Sequence, residues 1–409
     1  MGTAVFLTNN SPRPCPVCDG HKTRLLFRQR FSAISKGGLL EGYDVVVCER
    51  CGFGFADRIP EQPAFDTYYR EMSKYEYQDR GGEVTDHDMA RFRGVVDTLR
   101  PHFRNPDVRL LDVGCATGQL LALFKESGFP RVTGLDPSPV CADVGRRMFD
   151  IRILTGTLAD AAGIKDDERP YDCVILIGVL EHVRDLGASL KAVQELLSPD
   201  GLVYIEVPDA TGFAGRPDAP FQEFSTEHIN YFSATSLTNL MNRFGFSVIL
   251  SQKIMRRQSQ STITPAVMAI FRRDKAPAEP SITRDVETES GLDEYIKLSR
   301  QTDDSIQKTI GGLVANRKPI VVWGVGTHTL RLLEASRLGE ANIIAFVDSN
   351  PRYQGKRLQG RPILAPAGLL GRPEAIFISS RVFQTDIEKY IRNTLRINND
   401  IIKLYPIDP

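Results

Sequence analysis

The stretch LLDVGCATGQL, residues 110–120, decides the fold. An apolar strand runs into a turn that contains Gly114 and Gly118, and a helical pattern follows the second glycine. Glycine permits a tight turn and a close approach of ligand to backbone, and the start of a helix presents free N–H groups. The next strand ends at Asp136, where a carboxylate suits the paired hydroxyls of a ribose. The stretch therefore predicts a nucleotide-type ligand at the end of a parallel sheet.

Alternating strand and helix patterns extend from this stretch along the chain. Strands are predicted at residues 109–113, 132–135, 151–154, 171–177, 201–207, 246–251 and 265–272. Most of them are separated by helical patterns, and that alternation favours a doubly wound parallel sheet. A polar segment with two prolines, at residues 274–285, then reads as a linker, and a helix is predicted over residues 290–316.

A second α/β pattern follows that helix. Strands are predicted at residues 319–323, 343–347, 375–379 and 401–404, with a helix at 327–336. Gly324 and Gly326 open the helix, and Asp348 ends the next strand, which is the arrangement of a dinucleotide site. Thr329 stands where the third glycine of that motif belongs, so a degenerate domain that grips substrate or another subunit is favoured over a nicotinamide site.

Four cysteines near the start have the spacing of a zinc ribbon. Cys15 and Cys18 form one C-x-x-C pair, and Cys48 and Cys51 form the other. Four thiolates close a tetrahedron around one zinc ion and leave no open position, so the predicted metal is structural. The alternatives are a disulfide pair, which a reducing compartment disfavours, and two unrelated thiol pairs.

Composition and charge exclude several classes of protein. The chain has 409 residues, 42% of them hydrophobic, which argues against disorder. The 51 Lys and Arg balance the 51 Asp and Glu, so net charge favours neither nucleic acid nor an anionic membrane as partner. The longest apolar run, CVILIGVL at 173–180, is far short of the ~20 residues of a membrane span. With seven Cys, an odd number, and no export signal, we expect reduced thiols and a cytoplasmic protein.

A Glu-His pair follows the fifth strand, in FSTEHINYFS at residues 224–233. Histidine accepts a proton near neutral pH, and an adjacent carboxylate can contact a substrate hydroxyl. His228 is therefore a candidate base and Glu227 a candidate substrate ligand. The alternative is a histidine that caps or packs ahead of the helix predicted at 234–243. An earlier pair, Glu181-His182, is interpreted chiefly as part of the wall of the ligand pocket.

The D-x-G-x-x-x-G pattern of residues 112–118 resembles the class I S-adenosylmethionine-dependent methyltransferases, whereas nicotinamide enzymes carry G-x-G-x-x-G. Segments 171–183 and 197–203 are similar to that family's fourth strand with its turn and to the hairpin into its fifth. The resemblance covers residues 86–272 and implies S-adenosylmethionine as the cofactor. The cofactor-binding residues that it implies are Asp112, Gly114 and Gly118 at the methionine moiety, Asp136 at the ribose, Thr157 and Leu158 at the adenine, and Gly178 after the fourth strand.

The order of the modules over nearly the whole chain resembles the sugar C-methyltransferase family, which acts on nucleotide-linked keto-deoxysugars. In that family the corresponding histidine removes the proton beside the ketone, and the enolate attacks the methyl group. The resemblance implies His228 as the base and Glu227 as a ligand of a sugar hydroxyl. It also implies Tyr75 or Tyr77 over the substrate, from a tyrosine-rich stretch whose other interpretation is a helix that packs its rings on the next domain.

The predicted organisation is an α/β protein with three domains and one linker. They are a four-Cys zinc-binding module with its aromatic-rich connector at 1–80, a Rossmann-like methyltransferase domain at 81–273, a linker at 274–288, and a second Rossmann-like domain at 289–409.

Two departures from the sugar C-methyltransferase pattern keep other functions open. Ser225 replaces the family's tyrosine, and residues 256–262 lack its glycines. An O- or N-methyltransferase on another glycan or small molecule is one alternative. A zinc-ribbon binding protein with a relict cofactor fold is the other.

Overall fold

The computed structural model describes residues 12–35, 38–72, 86–161, 169–215, 219–257, 262–275 and 281–405. These residues form three β-sheets, of four, seven and six strands, together with nine α-helices. In this described part of the chain, no helix is long and apolar enough to cross a bilayer.

The strands are β1 (Thr23–Arg30), β2 (Gly42–Cys48), β3 (Gly54–Asp57), β4 (Leu110–Val113), β5 (Val132–Asp136), β6 (Arg152–Thr155), β7 (Tyr171–Ile177), β8 (Leu197–Pro208), β9 (Asn230–Tyr231), β10 (Phe246–Arg257), β11 (Ile263–Arg273), β12 (Ile320–Trp323), β13 (Ile343–Val347), β14 (Arg357–Leu358), β15 (Arg361–Leu364), β16 (Ala375–Ile378) and β17 (Ile401–Lys403). The helices are α1 (Gln62–Met72), α2 (Asp86–Leu99), α3 (Gln119–Glu126), α4 (Pro139–Phe149), α5 (Leu186–Leu196), α6 (Ala234–Arg243), α7 (Val286–Asn316), α8 (Thr327–Ala335) and α9 (Gln384–Lys389).

The seven-stranded sheet has the order β10-β11-β8-β7-β4-β5-β6. Strands β4 to β8 pair in parallel, and β11 and β10 pair antiparallel at one edge. The middle strands are nearly continuous apolar runs, as in YDCVILI of β7, because helices cover both faces of a parallel sheet. The strand order therefore brings the carboxyl ends of β4, β5 and β7 to one edge, where a ligand can bind.

The four-stranded sheet, β1-β2-β3-β9, is antiparallel, and its last strand comes from a distant part of the chain. Gly54 pairs with Tyr231, and Phe55 pairs with Asn230. The sheet of the cysteine-knuckle module is therefore completed by the segment directly after His228.

The six-stranded sheet has the order β14-β15-β13-β12-β16-β17, and the strands from β15 to β17 pair in parallel. Helix α7 leads into it. Asp285 caps this helix by accepting the Thr288 amide, so the helix begins at Val286, four residues before its predicted start. Strand β10 also runs six residues beyond its predicted end, because its polar outer half is an exposed edge that apolar patterning does not mark.

The three sheets share their cores. One hydrophobic cluster contains Tyr43 and Val45 of the N-terminal sheet together with Val322 and Phe346 of the six-stranded sheet. Another contains the four knuckle cysteines together with apolar residues of β4, β7 and β8. The N-terminal module is thus packed against both other sheets.

Candidate active site and metal centre

The loop after β4 turns through three left-handed residues. Gly114 has φ 72°, Ala116 has φ 47° and Gly118 has φ 83°. A Cβ at position 114 would also lie 3.0 Å from Val179 Cγ2, so a side chain there would narrow the cradle as well as strain the turn.

Asp136 braces this loop. Its Oδ2 accepts the Ala116 amide at 2.9 Å, and its Oδ1 accepts the Ser138 amide at 2.9 Å. Both carboxylate oxygens of Asp136 therefore hold backbone amides at this edge of the sheet. The brace itself is a contact that the sequence pattern did not predict.

Asp112 lies beneath the loop and is 5% exposed. Burial raises its pKa to about 8, the negative charge of Asp136 acts in the same direction, and Arg91 opposes the shift. Arg91 in turn pairs with the buried carboxylate of Glu206, with Nη2 2.8 Å from Oε1, and Arg256 approaches the same oxygen at 3.5 Å. The floor of the site therefore contains two carboxylates and two guanidinium groups at close range.

The predicted adenine side lies beyond β6. The Gly156 amide donates to the Asp136 backbone carbonyl at 3.0 Å, which holds this turn against the end of β5. Leu158 is buried, and the Thr157 hydroxyl donates to Asp160 at 2.8 Å. Gly178, after β7, has φ 68° and its amide donates to the Glu206 carbonyl at 2.9 Å. All seven predicted cofactor residues therefore lie along the carboxyl edge of β4 to β7.

The four knuckle cysteines come together at the N-terminal module. Their sulfur atoms lie within 4.8 Å of one another, and none is in a disulfide. The Cys15–Cys51 and Cys18–Cys48 sulfur distances are both 3.5 Å. Four thiolates at ~2.3 Å from one ion would stand about 3.8 Å apart, so the geometry fits a tetrahedral metal.

The two Glu-His pairs, far apart in sequence, meet in space. The rings of His182 and His228 are 4.9 Å apart between centroids. The Ser225 hydroxyl oxygen accepts the amides of Glu227 and His228, at 3.2 and 2.9 Å, and so shapes the loop that carries them. Ser225 therefore has a local structural role at the position where the resembling family has tyrosine.

Two tyrosines of α1 reach this group. The Tyr68 hydroxyl donates to Glu227 Oε1 at 2.9 Å, and the Tyr69 hydroxyl lies 3.0 Å from His182 Nδ1. The predicted Tyr75 and Tyr77 lie outside the described residues. The sequence signal for Tyr68 and Tyr69 was present in the same tyrosine-rich stretch, but spacing alone did not distinguish the four rings.

Glu181 is 2% exposed, and burial raises its pKa above the ordinary value. Its Oε2 has no hydrogen-bond partner among the residues that the structure describes. Ligand atoms of Glu181, His182 and His228 lie within 4.8 Å of one another, so this group has the chemistry of a second cation site.

The model of the family described as "Methyltransferase domain" matches residues 85–251, and a model described as "C2185-like, N-terminal" matches residues 316–402. C-methyltransferase NovU of Streptomyces niveus is 28% identical over 346 residues, which cover 82% of this chain and 79% of NovU. This chain is an S-adenosylmethionine-dependent methyltransferase. The predicted enzyme class is thereby confirmed, and the glycine-rich loop with Asp112 and Asp136 belongs to the matched domain of the methyltransferase.

Two further relatives are similar to the central part of the methyltransferase. A ubiquinone biosynthesis O-methyltransferase of Rhodopseudomonas palustris strain BisA53 is 31% identical over 137 residues, which cover 30% of this chain and 51% of that protein. The crystal structure of the Burkholderia thailandensis 1,6-didemethyltoxoflavin-N1-methyltransferase aligns with 55% of this chain and 96% of its own, at 22% identity and a TM-score of 0.41.

Proposed function

We propose that this methyltransferase places a methyl group on a carbon atom of a nucleotide-linked keto-deoxysugar. One observation carries the proposal: His228 and Glu227 lie beside the turn that follows β7, with the His228 ring 4.9 Å from that of His182. Similarity to a C-methyltransferase over 82% of the chain supports it.

In the proposed reaction, His228 takes the proton from the carbon beside the ketone. S-adenosylmethionine, when bound, supplies an electrophilic methyl group. The electron pair of the broken C–H bond enters the enolate, whose carbon forms the new bond to the methyl group while the sulfur keeps the old bonding pair. Glu227, oriented by the Tyr68 hydroxyl, accepts a hydrogen bond from a sugar hydroxyl and holds the carbon near His228.

For the cofactor, we propose that Gly114 and Gly118 let the methionine moiety approach the backbone and that Asp112 faces its ammonium group. Asp136, at the carboxyl end of β5, would receive the ribose hydroxyls. Thr157 and Leu158 would border the adenine, and Gly178 would line the cofactor pocket after β7. The absence of a side chain at Gly114 supports this assignment. A Cβ there would lie 3.0 Å from Val179 Cγ2 and would narrow the space over the loop.

We also propose that Cys15, Cys18, Cys48 and Cys51 hold one structural zinc ion. Four sulfur ligands would leave no position for water or substrate. The sulfur distances of 3.5 Å support this number of ligands around one ion.

We propose that the chain is divided into an N-terminal module at 1–80, a methyltransferase domain at 81–273 and a second Rossmann-like unit from residue 289. This last unit would enclose the nucleotide end of the substrate. Asp348 supports this, because it accepts the Val325 amide at 2.9 Å and the Asn350 amide at 2.8 Å, as Asp136 does in the central sheet. The Thr327 hydroxyl at the start of α8 also lies 3.5 Å from the Thr226 amide, next to Glu227.

O-methylation is a second candidate function, and the group of Glu181, His182 and His228 favours it. A divalent cation held there would lower the pKa of a coordinated hydroxyl and make it a nucleophile. In that case His228 would be a ligand and no longer a base, so the two candidates assign it incompatible roles.

The experiment is a transfer assay with ¹³C-methyl S-adenosylmethionine and a panel of nucleotide-linked keto-deoxysugars. A C–CH₃ signal in the product supports the first candidate, and His228→Ala should then lose activity by about 10²-fold or more, the range of a general base. His102→Ala, outside the site, is the matched control. An O–CH₃ signal that disappears with a chelator and returns with Mg²⁺ or Mn²⁺ would replace the first candidate by the second.

A further inference from the structure

Asn230, the first residue of β9, is buried among three parts of the chain and is 2% exposed. Its Nδ2 donates to the Leu180 carbonyl at 2.8 Å and to the Val183 carbonyl at 2.7 Å. Its Oδ1 accepts from Arg13 Nη2 at 2.7 Å. Carbonyls only accept and guanidinium only donates, so these partners fix the orientation of the amide without ambiguity.

The carbonyls of Leu180 and Val183 flank Glu181 and His182. The carbonyl between them, that of Glu181, accepts the Ile229 amide at 2.8 Å. The turn with one Glu-His pair is therefore fastened by three of its backbone carbonyls to the residues directly after the other pair. A side-chain contact continues this link, because His182 Nδ1 lies 3.1 Å from the Glu227 carbonyl.

We propose that Asn230 is a positioning residue that sets the distance and orientation of His182 relative to His228, and that Arg13 of the N-terminal module holds Asn230 in that orientation. The inference rests on the proposed function only in treating His182 and His228 as parts of the reaction site. It assigns a further task to the cysteine-knuckle module, which contributes to the site without touching the substrate.

Arg13 is suited to this task by its surroundings. Its backbone amide donates to Asp57 Oδ1 at 2.8 Å, and its guanidinium lies 5.0 Å above the Phe55 ring. Both partners belong to β3, which pairs with β9. The Ala56 amide also donates to the Ile229 carbonyl at 2.9 Å, so strand pairing and side chains hold the same short segment.

Asn230→Asp is the decisive variant. The new carboxylate keeps the size of the amide and can still pair with Arg13, but it presents only acceptors to two carbonyl oxygens. The turn is therefore pushed away from β9 while the core stays filled. Asn239→Asp is the matched control: Asn239 is 3% exposed and bonds the Thr283 carbonyl at 2.7 Å and the Thr283 amide at 3.0 Å, at the linker before α7.

Imidazole ¹⁵N NMR gives a readout that is independent of any substrate. The chain has six histidines, so the signals can be assigned with His182→Gln and His228→Gln. The Glu227 carbonyl and the Tyr69 hydroxyl both lie within hydrogen-bond distance of His182 Nδ1, so the signals of this ring report its position in the site. We expect Asn230→Asp to shift the signals of His182 and His228, and Asn239→Asp to leave them in place.

Turnover gives the second readout. A misplacement of about 1 Å costs up to ~10²-fold in rate, so we expect Asn230→Asp to lower kcat by about 10- to 100-fold while the Kd for S-adenosylmethionine stays within about twofold. Arg13→Met leaves Asn230 intact and should shift the same NMR signals to a smaller extent, which keeps the test available if Asn230→Asp does not fold. Unchanged imidazole signals in Asn230→Asp, or shifts equal to those of Asn239→Asp, overturn the proposal. A wild type that transfers no methyl to any sugar refutes the proposed substrate and leaves the NMR test intact.

Discussion

Asp112→Asn should remove most of the pH dependence of cofactor binding. In the ligand-free protein, burial and the nearby Asp136 raise the pKa of Asp112 to about 8, so the carboxyl is protonated at neutral pH. If Asp112 faces the ammonium group of S-adenosylmethionine, binding requires the ionised form and releases a proton. The association constant should then rise about tenfold per pH unit below 8, or about 30-fold between pH 5.5 and 7.0, which is ~2 kcal/mol.

Isothermal titration calorimetry measures this dependence, and a pair of buffers with different ionisation enthalpies counts the released protons. Asp172→Asn is the control, since burial acts to raise the pKa of Asp172 but hydrogen bonds from Arg109 hold it below its ordinary value. That carboxylate should not titrate in the measured range. An affinity that is flat from pH 5.5 to 7.0 in the wild type, or a slope that survives in Asp112→Asn, would refute the reasoning.

The raised pKa of Asp112 also makes the stability of the protein depend on pH. An unfolded aspartate titrates near 3.9. The contribution of Asp112 to the stability of the ligand-free protein is therefore fully present below that pH. The contribution is lost as the pH rises through about 8. Asp112→Asn should therefore flatten the decline in melting temperature between pH 5 and 8.

Three further predictions concern stability. Gly134→Ala would place a Cβ 2.5 Å from Cys115 Sγ, and we expect it to lower the free energy of unfolding in urea by about 1–3 kcal/mol. In the control Gly94→Ala, in α2, the new Cβ has nothing within 4 Å, and the free energy of unfolding should rise by about 0.5–1 kcal/mol. Equal effects would contradict the packing argument. Purified protein should contain one zinc ion per chain by plasma mass spectrometry, and chelation should make four more thiols react with Ellman's reagent; a metal-free, fully folded protein would contradict the zinc centre. Asp285→Ala removes the cap of α7 and should lower the free energy of unfolding by about 1–2 kcal/mol, and an unchanged melting curve would show that the cap contributes nothing.

Local patterns predicted the strands and helices around the carboxyl edge of the central sheet. The strand over residues 171–177 and the helix over 234–243 have their predicted bounds, and Gly114 and Asp136 lie together after β4 and β5. A strand, a glycine turn and the next strand are contiguous in sequence, so the chain itself fixes their proximity. The ribose role of Asp136 stays a prediction, while its bonds to the loop amides are an addition.

Contacts between distant segments could not be predicted in this way. Nothing in the pattern of Asn230 indicates that it pairs with β3 or bonds to Arg13, because each of these partners is chosen by packing of the whole chain. The same limit applied to the tyrosines. Tyr68 and Tyr69 contact the two Glu-His pairs because α1 lies across them, and that placement depends on the N-terminal sheet.

Strand β9 completes the N-terminal sheet but is synthesised long after its partner β3, and this has a consequence for biosynthesis. On the ribosome, β3 emerges long before its partner, and during that interval its outer edge presents unpaired N–H and C=O groups to any other nascent strand. The knuckle module is therefore committed to its final form only after the cofactor-binding half of the central sheet, through β8, has been made. Fragments that end before residue 230 should leave this edge open, and we expect them to depend on chaperones or to aggregate, however well the cysteine cluster assembles.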